Sequence, residues 1–157
     1  MIFPIGDTQV KGGHKPIFSY AFMVINIVAF AIQLSVPGNL ICELSVIPDD
    51  IKSGTHLYTL VTSMFLHGSY MHIAGNLLFL WVFADNIEAV IGNLRFLLFY
   101  LGGGIAAGLA HVYLGSEASA AAVCCAPCEG CDSLPLCSGL IPSLGASGAI
   151  SAVMGAY

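Results

Sequence analysis

The sequence predicts an all-α polytopic transmembrane helix bundle of about four spans, the fourth incomplete. Three observations predict it. Of the 157 residues, 57% are hydrophobic and only 8% charged, against about 25% charged in soluble domains. Mean hydropathy is +0.89. The apolar residues also fall into runs long enough to cross a bilayer core, which takes roughly 20 helical residues. Eighteen glycines fit close helix packing in lipid. Only four Lys and Arg accompany nine Asp and Glu. Nucleic acid is therefore excluded as a partner, because phosphate binding needs a basic surface.

Residues 1–16 are mixed and polar, with Lys11, His14 and Lys15 close together, and read as a cytoplasmic tail. The rest, 17–157, reads as one membrane domain. Its first span is Ile17 to Val36, interrupted by Asn26 and Gln33 and ended by Pro37 and Gly38. No small-residue cleavage site follows it, so it reads as a retained span and not a signal peptide. Residues 37–58 read as a loop holding Glu43, Asp49, Asp50 and Lys52. A second span is expected from about Tyr70 to Val90, then the turn "IGNLR", then a third from about Phe96 to Leu114. Residues 115–144 form a second long loop, and a helix begins near Ser147. That helix has too few residues to cross a bilayer.

Basic residues mark the cytoplasmic ends of spans. Lys11, Lys15 and Arg95 put the tail and the "IGNLR" turn inside, leaving both long loops, with most of the acids, outside.

Two stretches carry chemistry. "HGSYMHIAGN" brings His67, His72 and Asn76 to the start of the second span. His72 and Asn76, four apart, lie about 40° from each other on a helix. Polar groups in such surroundings are costly and mark functional sites, though a lone histidine there often only satisfies backbone or headgroups. "SLGASGAIS" puts Ser147 at a helix start, where free N–H groups and the positive dipole end can bind an oxyanion. Gly145 and Gly148 leave that serine unhindered. Its plain reading is an N-cap. Ser147, Ser151 and Gly155 recur every four residues, as do Gly148, Ala152 and Ala156, a spacing that admits a very close neighbouring helix.

Together, "HGSYMHIAGN", "FLWVFADNIEAVIGNLRFLLFYLGGG" and "GASGAISAVMGAY" resemble the rhomboid intramembrane serine proteases over about residues 17–157, apart from the cysteine-bearing loop. The resemblance implies that Ser147 is the nucleophile and that His72, Asn76 and the Ser147 N–H form the oxyanion hole. It implies that His67 orders water and the loop beside the site, and that Glu88, Gly92 and Arg95 shape the cytoplasmic turn. It implies single-span membrane proteins as substrates, cut in or near their transmembrane segments, and a multi-pass protein of a prokaryotic plasma membrane. No metal or organic cofactor is expected. The family places its general base on a later helix, and no histidine follows Ser147 here. The 157 residues therefore look like an N-terminal portion, inactive alone, with the base expected beyond residue 157. His111, in "GLAHVYLG", looks like the family's base-bearing pattern but precedes the serine. "THLYTLVTSMFLHG" also lacks the Trp-Arg that many members carry there.

"CCAPCEGCDSLPLC" groups Cys124, Cys125, Cys128, Cys131 and Cys137. C-x2-C spacings can bind zinc or an iron–sulfur cluster, with Cys125, Cys128, Cys131 and Cys137 as candidate ligands. On an oxidising side, disulfides compete, and Cys42 can pair with the odd thiol. The rival to the protease is a non-catalytic relative that binds membrane helices, with this loop as a metal or redox module.

Overall fold

The computed structural model describes residues 15–36, 40–114 and 143–156. The described residues are helical, apart from turns and one isolated antiparallel bridge between Val46 and Ser143. Three helices are long and apolar enough to cross a membrane: Ile17–Ser35, Tyr70–Ile91 and Asn93–Leu114. They match the three expected spans, with ends shifted by up to three residues. The fourth helix starts at Ser147 as expected and runs to Ala156.

The first helix, α1 (Ile17–Ser35), buries Ser19, Phe22, Asn26 and Phe30, one face at three- and four-residue intervals. Its exposed side carries Ile17, Val24, Val28, Ile32 and Leu34. That polarity is inverted relative to a soluble helix and suits lipid outside with polar groups inside the bundle. Asn26 is fully buried and donates its Nδ2 to the Phe22 carbonyl at 2.8 Å. Phe22 stacks on Tyr100 with ring centroids 4.1 Å apart. Around that pair lie Leu80, Ala84, Phe96, Ala149, Ile150 and Val153, the main core.

The segment 37–58, expected as a loop, contains two short helices among its described residues. They are α2 (Leu40–Leu44) and α3 (Pro48–Lys52). In α3, Pro48 opens the helix, Asp49 and Asp50 fill its first turn and Lys52 ends it. That order suits the helix dipole and needs no N–H from Pro48. Helix α4 (Thr59–Thr62) and a 3-10 turn (Ser63–Phe65) follow.

The second span is built of α5 (Tyr70–Phe79), a π-helical turn (Leu80–Ala84) and α6 (Asp85–Ile91). The widened turn buries Leu80 and Ala84 and touches both α1 and α8 (Ser147–Ala156). Gly92, at φ +87, then reverses the chain into α7 (Asn93–Leu114), and a side chain there would be strained.

Glu88 fastens this turn to α1. Its carboxylate accepts the Phe18 N–H at 2.9 Å, the Ser19 N–H at 2.8 Å and the Ser19 hydroxyl at 2.6 Å. Pro16, the N-cap residue of α1, makes no side-chain cap bond, so Glu88 supplies the cap from the second span. The first-turn N–H groups and the positive dipole end satisfy a carboxylate that has no exposed surface.

Helices α7 and α8 run against each other with almost no side-chain spacer. A Cβ at Gly103 would sit 2.6 Å from the Ala152 Cβ, and one at Gly148 would collide with the Ala107 Cβ. A Cβ at Gly104 would likewise meet the Met64 side chain. Val46 and Ser143 exchange both backbone bonds, at 3.0 and 2.8 Å. The segments before α4 and before α8 therefore lie together, at the end of the bundle opposite Glu88. Cys42 is disulfide-bonded, and the other five cysteines, with the proposed metal ligands among them, lie outside the described residues.

Candidate active site

Ser69 is the N-cap of α5, and its Oγ accepts the His72 N–H at 3.1 Å. This cap fixes where α5 begins and holds His72 in its first turn, with Asn76 one turn further in. Asn76 is buried, and its Nδ2 has no hydrogen-bond partner. An unpaired buried donor is costly unless a ligand or water meets it.

Across from α5, residues 143–146 lead into α8. The Gly145 N–H donates to the Ser63 carbonyl at 2.8 Å. At Gly145 φ is +114, and a Cβ there would fall 2.6 Å from His72 Cε1 and 2.7 Å from Nε2. The His72 ring therefore rests directly on the Gly145 backbone, two residues before Ser147. The Ala146 carbonyl accepts the first bond of α8, from the Ile150 N–H at 2.9 Å. Ser147 is thus the first helical residue, and its N–H belongs to the turn that has no partner within the helix. Ser147 is exposed, and its hydroxyl makes no hydrogen bond among the described residues. The predicted members His72, Gly145, Ser147 and Gly148 are brought together, with Asn76 one turn along α5. The arrangement offers a hydroxyl beside a helix N-terminus, an imidazole and an unpaired amide.

His67 stands just outside the second span and is fully buried. Its ring lies edge-on to Phe30, at 6.2 Å, and to His72, at 5.3 Å between centroids. Both ring nitrogens are buried and unpartnered. Burial, and secondarily the charge of a protonated His72, lowers the pKa of His67 to about 4. The ring is therefore neutral at ordinary pH. Its backbone is held by Gln33 of α1, whose Nε2 donates to the His67 carbonyl at 2.7 Å and whose Oε1 accepts the His67 N–H at 3.1 Å. Sequence reasoning noted Gln33 only as a polar interruption and missed Ser63 altogether. The signal for Gln33 was present, since an amide in an apolar span needs a partner. Ser63 acts through its backbone, which leaves no residue-type signal.

A family model of the rhomboid domain matches residues 54–157. The chain belongs to the rhomboid family. It is also similar to the protein named Rhomboid protease GluP, from Bacillus subtilis (strain 168). The two are 29% identical over 121 residues, which is 74% of this chain and 24% of that protein. The chain thus spans about a quarter of the length of that curated relative. No solved structure matches it.

Within this rhomboid domain lie His67, His72, Asn76 and Ser147, whereas Gln33 and the rest of α1 precede the matched residues. Three long apolar helices and family membership make the chain an integral membrane protein. His111 sits on α7 one turn beyond Ala107, the residue that packs on Gly148, yet its ring is exposed and bonds to nothing among the described residues. No group of three or more metal-ligating side chains occurs among the described residues.

Proposed function

We propose that Ser147 is the nucleophile of a rhomboid serine endopeptidase site that hydrolyses peptide bonds in or near the transmembrane segments of membrane proteins. The observation that carries this reading is the His72 ring seated on Gly145, which puts an imidazole beside the N-terminal turn holding Ser147. Ser147 Oγ attacks the carbonyl carbon, and the carbonyl oxygen becomes an oxyanion. The Ser147 N–H, the unpaired Asn76 Nδ2 and the His72 ring are its donors, each worth about 10²–10³ in rate at such sites. The amine leaves with a proton, and water then releases the acid from the acyl-serine. Single-span proteins fit as substrates, since an unwound helix can lay its backbone along Gly145.

The attack needs a base to take the Ser147 proton, and such assistance is worth about 10²–10⁴-fold. No histidine follows Ser147 in the 157 residues, and none bonds to it among the described ones. That none of the described histidines bonds to Ser147 favours a second reading, a rhomboid that holds membrane helices without cutting them. A fluorophosphonate probe separates the two. In bilayer vesicles the 157-residue chain should label slowly, faster with added imidazole as a surrogate base, and Ser147→Ala should abolish labelling. Labelling that survives Ser147→Ala, or none even with imidazole, contradicts the protease reading. His111→Ala should leave the rate unchanged.

A further inference from the structure

We propose that His67 and His72 form a binding site for Zn2+ beside the start of the second span. The rings are 5.3 Å apart between centroids, with planes inclined at 67°. A zinc–imidazole bond of about 2.0–2.1 Å, extended by roughly 1.1 Å from nitrogen to ring centre, puts each centroid about 3.2 Å from the metal. Two such rings at the tetrahedral angle stand about 5.2 Å apart. The observed spacing admits two imidazoles on one tetrahedral ion.

The free valences agree. Both His67 nitrogens are buried without a partner. Nothing among the described residues bonds to the His72 ring nitrogens, and its backbone N–H donates to the Ser69 hydroxyl. Buried imidazole nitrogens left this way need a donor, a water or a Lewis acid. The His67 peptide is clamped on both sides by Gln33, so the ring has a fixed base. Gly68 and Ser69 beside it are exposed, so the loop meets solvent. Two protein ligands leave two tetrahedral positions for water, as suits a reversible, regulatory ion. A His72 ring committed to zinc cannot serve an oxyanion. This inhibitory consequence rests on the proposed function, but the binding does not.

The test uses the 157-residue chain in detergent micelles, with any free thiol alkylated and Zn2+ as the probe. Equilibrium dialysis should count one equivalent that His67→Gln and His72→Gln each lose and that His56→Gln keeps. Undiminished zinc in both site variants overturns the proposal. Because a variant can lose zinc by losing its fold, Co2+ in the wild-type chain supplies a second readout. The visible bands of a tetrahedral nitrogen-ligated ion should appear, and their absence overturns the proposal whatever the variants do. In the wild-type chain Zn2+ should also slow probe labelling of Ser147 roughly a hundredfold, the cost of one lost oxyanion donor. Zinc bound at the pair with Ser147 inert leaves the metal site standing and removes the protease reading. Ser147 reactive with no zinc at the pair does the reverse.

Discussion

At residue 145 even a methyl group is too large. Alanine there would put its Cβ 2.6 Å from the His72 ring and force a side chain into φ +114. Such backbone strain costs about 1–3 kcal/mol, and relieving the clash moves the imidazole away from Ser147. Gly145→Ala should lower the melting temperature and slow probe labelling, whereas an unchanged labelling rate would detach Gly145 from the site. His67 gives a second test. In the fold its pKa is lowered to about 4 from the ordinary 6.5. The unfolded chain therefore binds more protons between those values, and stability rises with pH across that window. Acidification from pH 6.5 towards 4 should cost up to about 3 kcal/mol, read as a falling melting temperature. His67→Gln should flatten that part of the profile, and His72 is the titratable neighbour whose own charge adds to it. Of the candidate site residues, His67, His72, Asn76 and Ser147 stand out in the sequence because they are polar groups in apolar runs. The Gln33 clamp was not, because its partner lies 34 positions away and is a backbone.

Each long helix was legible because about 20 apolar residues with breakers at their ends have few other uses. The short helices of segment 37–58 were not, since five-residue helices show no periodicity and depend on their neighbours. The π turn at Leu80–Ala84 was equally hidden, because Leu, Trp, Val, Phe and Ala suit an α-helix of a membrane span just as well. Small residues at four-residue spacing marked α8 for a close neighbouring helix, though not that α7, through Gly103 and Ala107, supplies it. Gly103→Val should force these helices apart, lowering thermal stability and Ser147 labelling together. Stability retained with labelling retained would mean that the contact is not needed to place the serine. At the opposite end, Glu88→Ala removes the acceptor of three donors on α1. Each buried donor left unpaired costs about 1–3 kcal/mol, so this variant should melt well below the wild type. A melting temperature within error of the wild type would show that water replaces the carboxylate.

The whole molecule is a bundle with polar groups at its two ends and apolar residues facing lipid. The capped α1 marks one end. The Val46–Ser143 bridge, the Gln33 clamp and Ser147 mark the other. The disulfide at Cys42 belongs to that second end and favours an oxidising compartment. After reduction of intact cells, an impermeant thiol reagent should therefore label Cys42 or the cysteines of 124–137. Labelling only after the cells are opened would reverse the orientation. Fold class followed from composition and span length alone. Function did not, because the proposed site needs groups from two segments, α5 and the start of α8, to meet at one point. The rate of Ser147 phosphonylation in His72→Ala and Asn76→Ala, each checked to melt like the wild type, tests that meeting most directly. Each variant should react about 10²–10³-fold more slowly, and labelling at the wild-type rate in both would contradict a shared site.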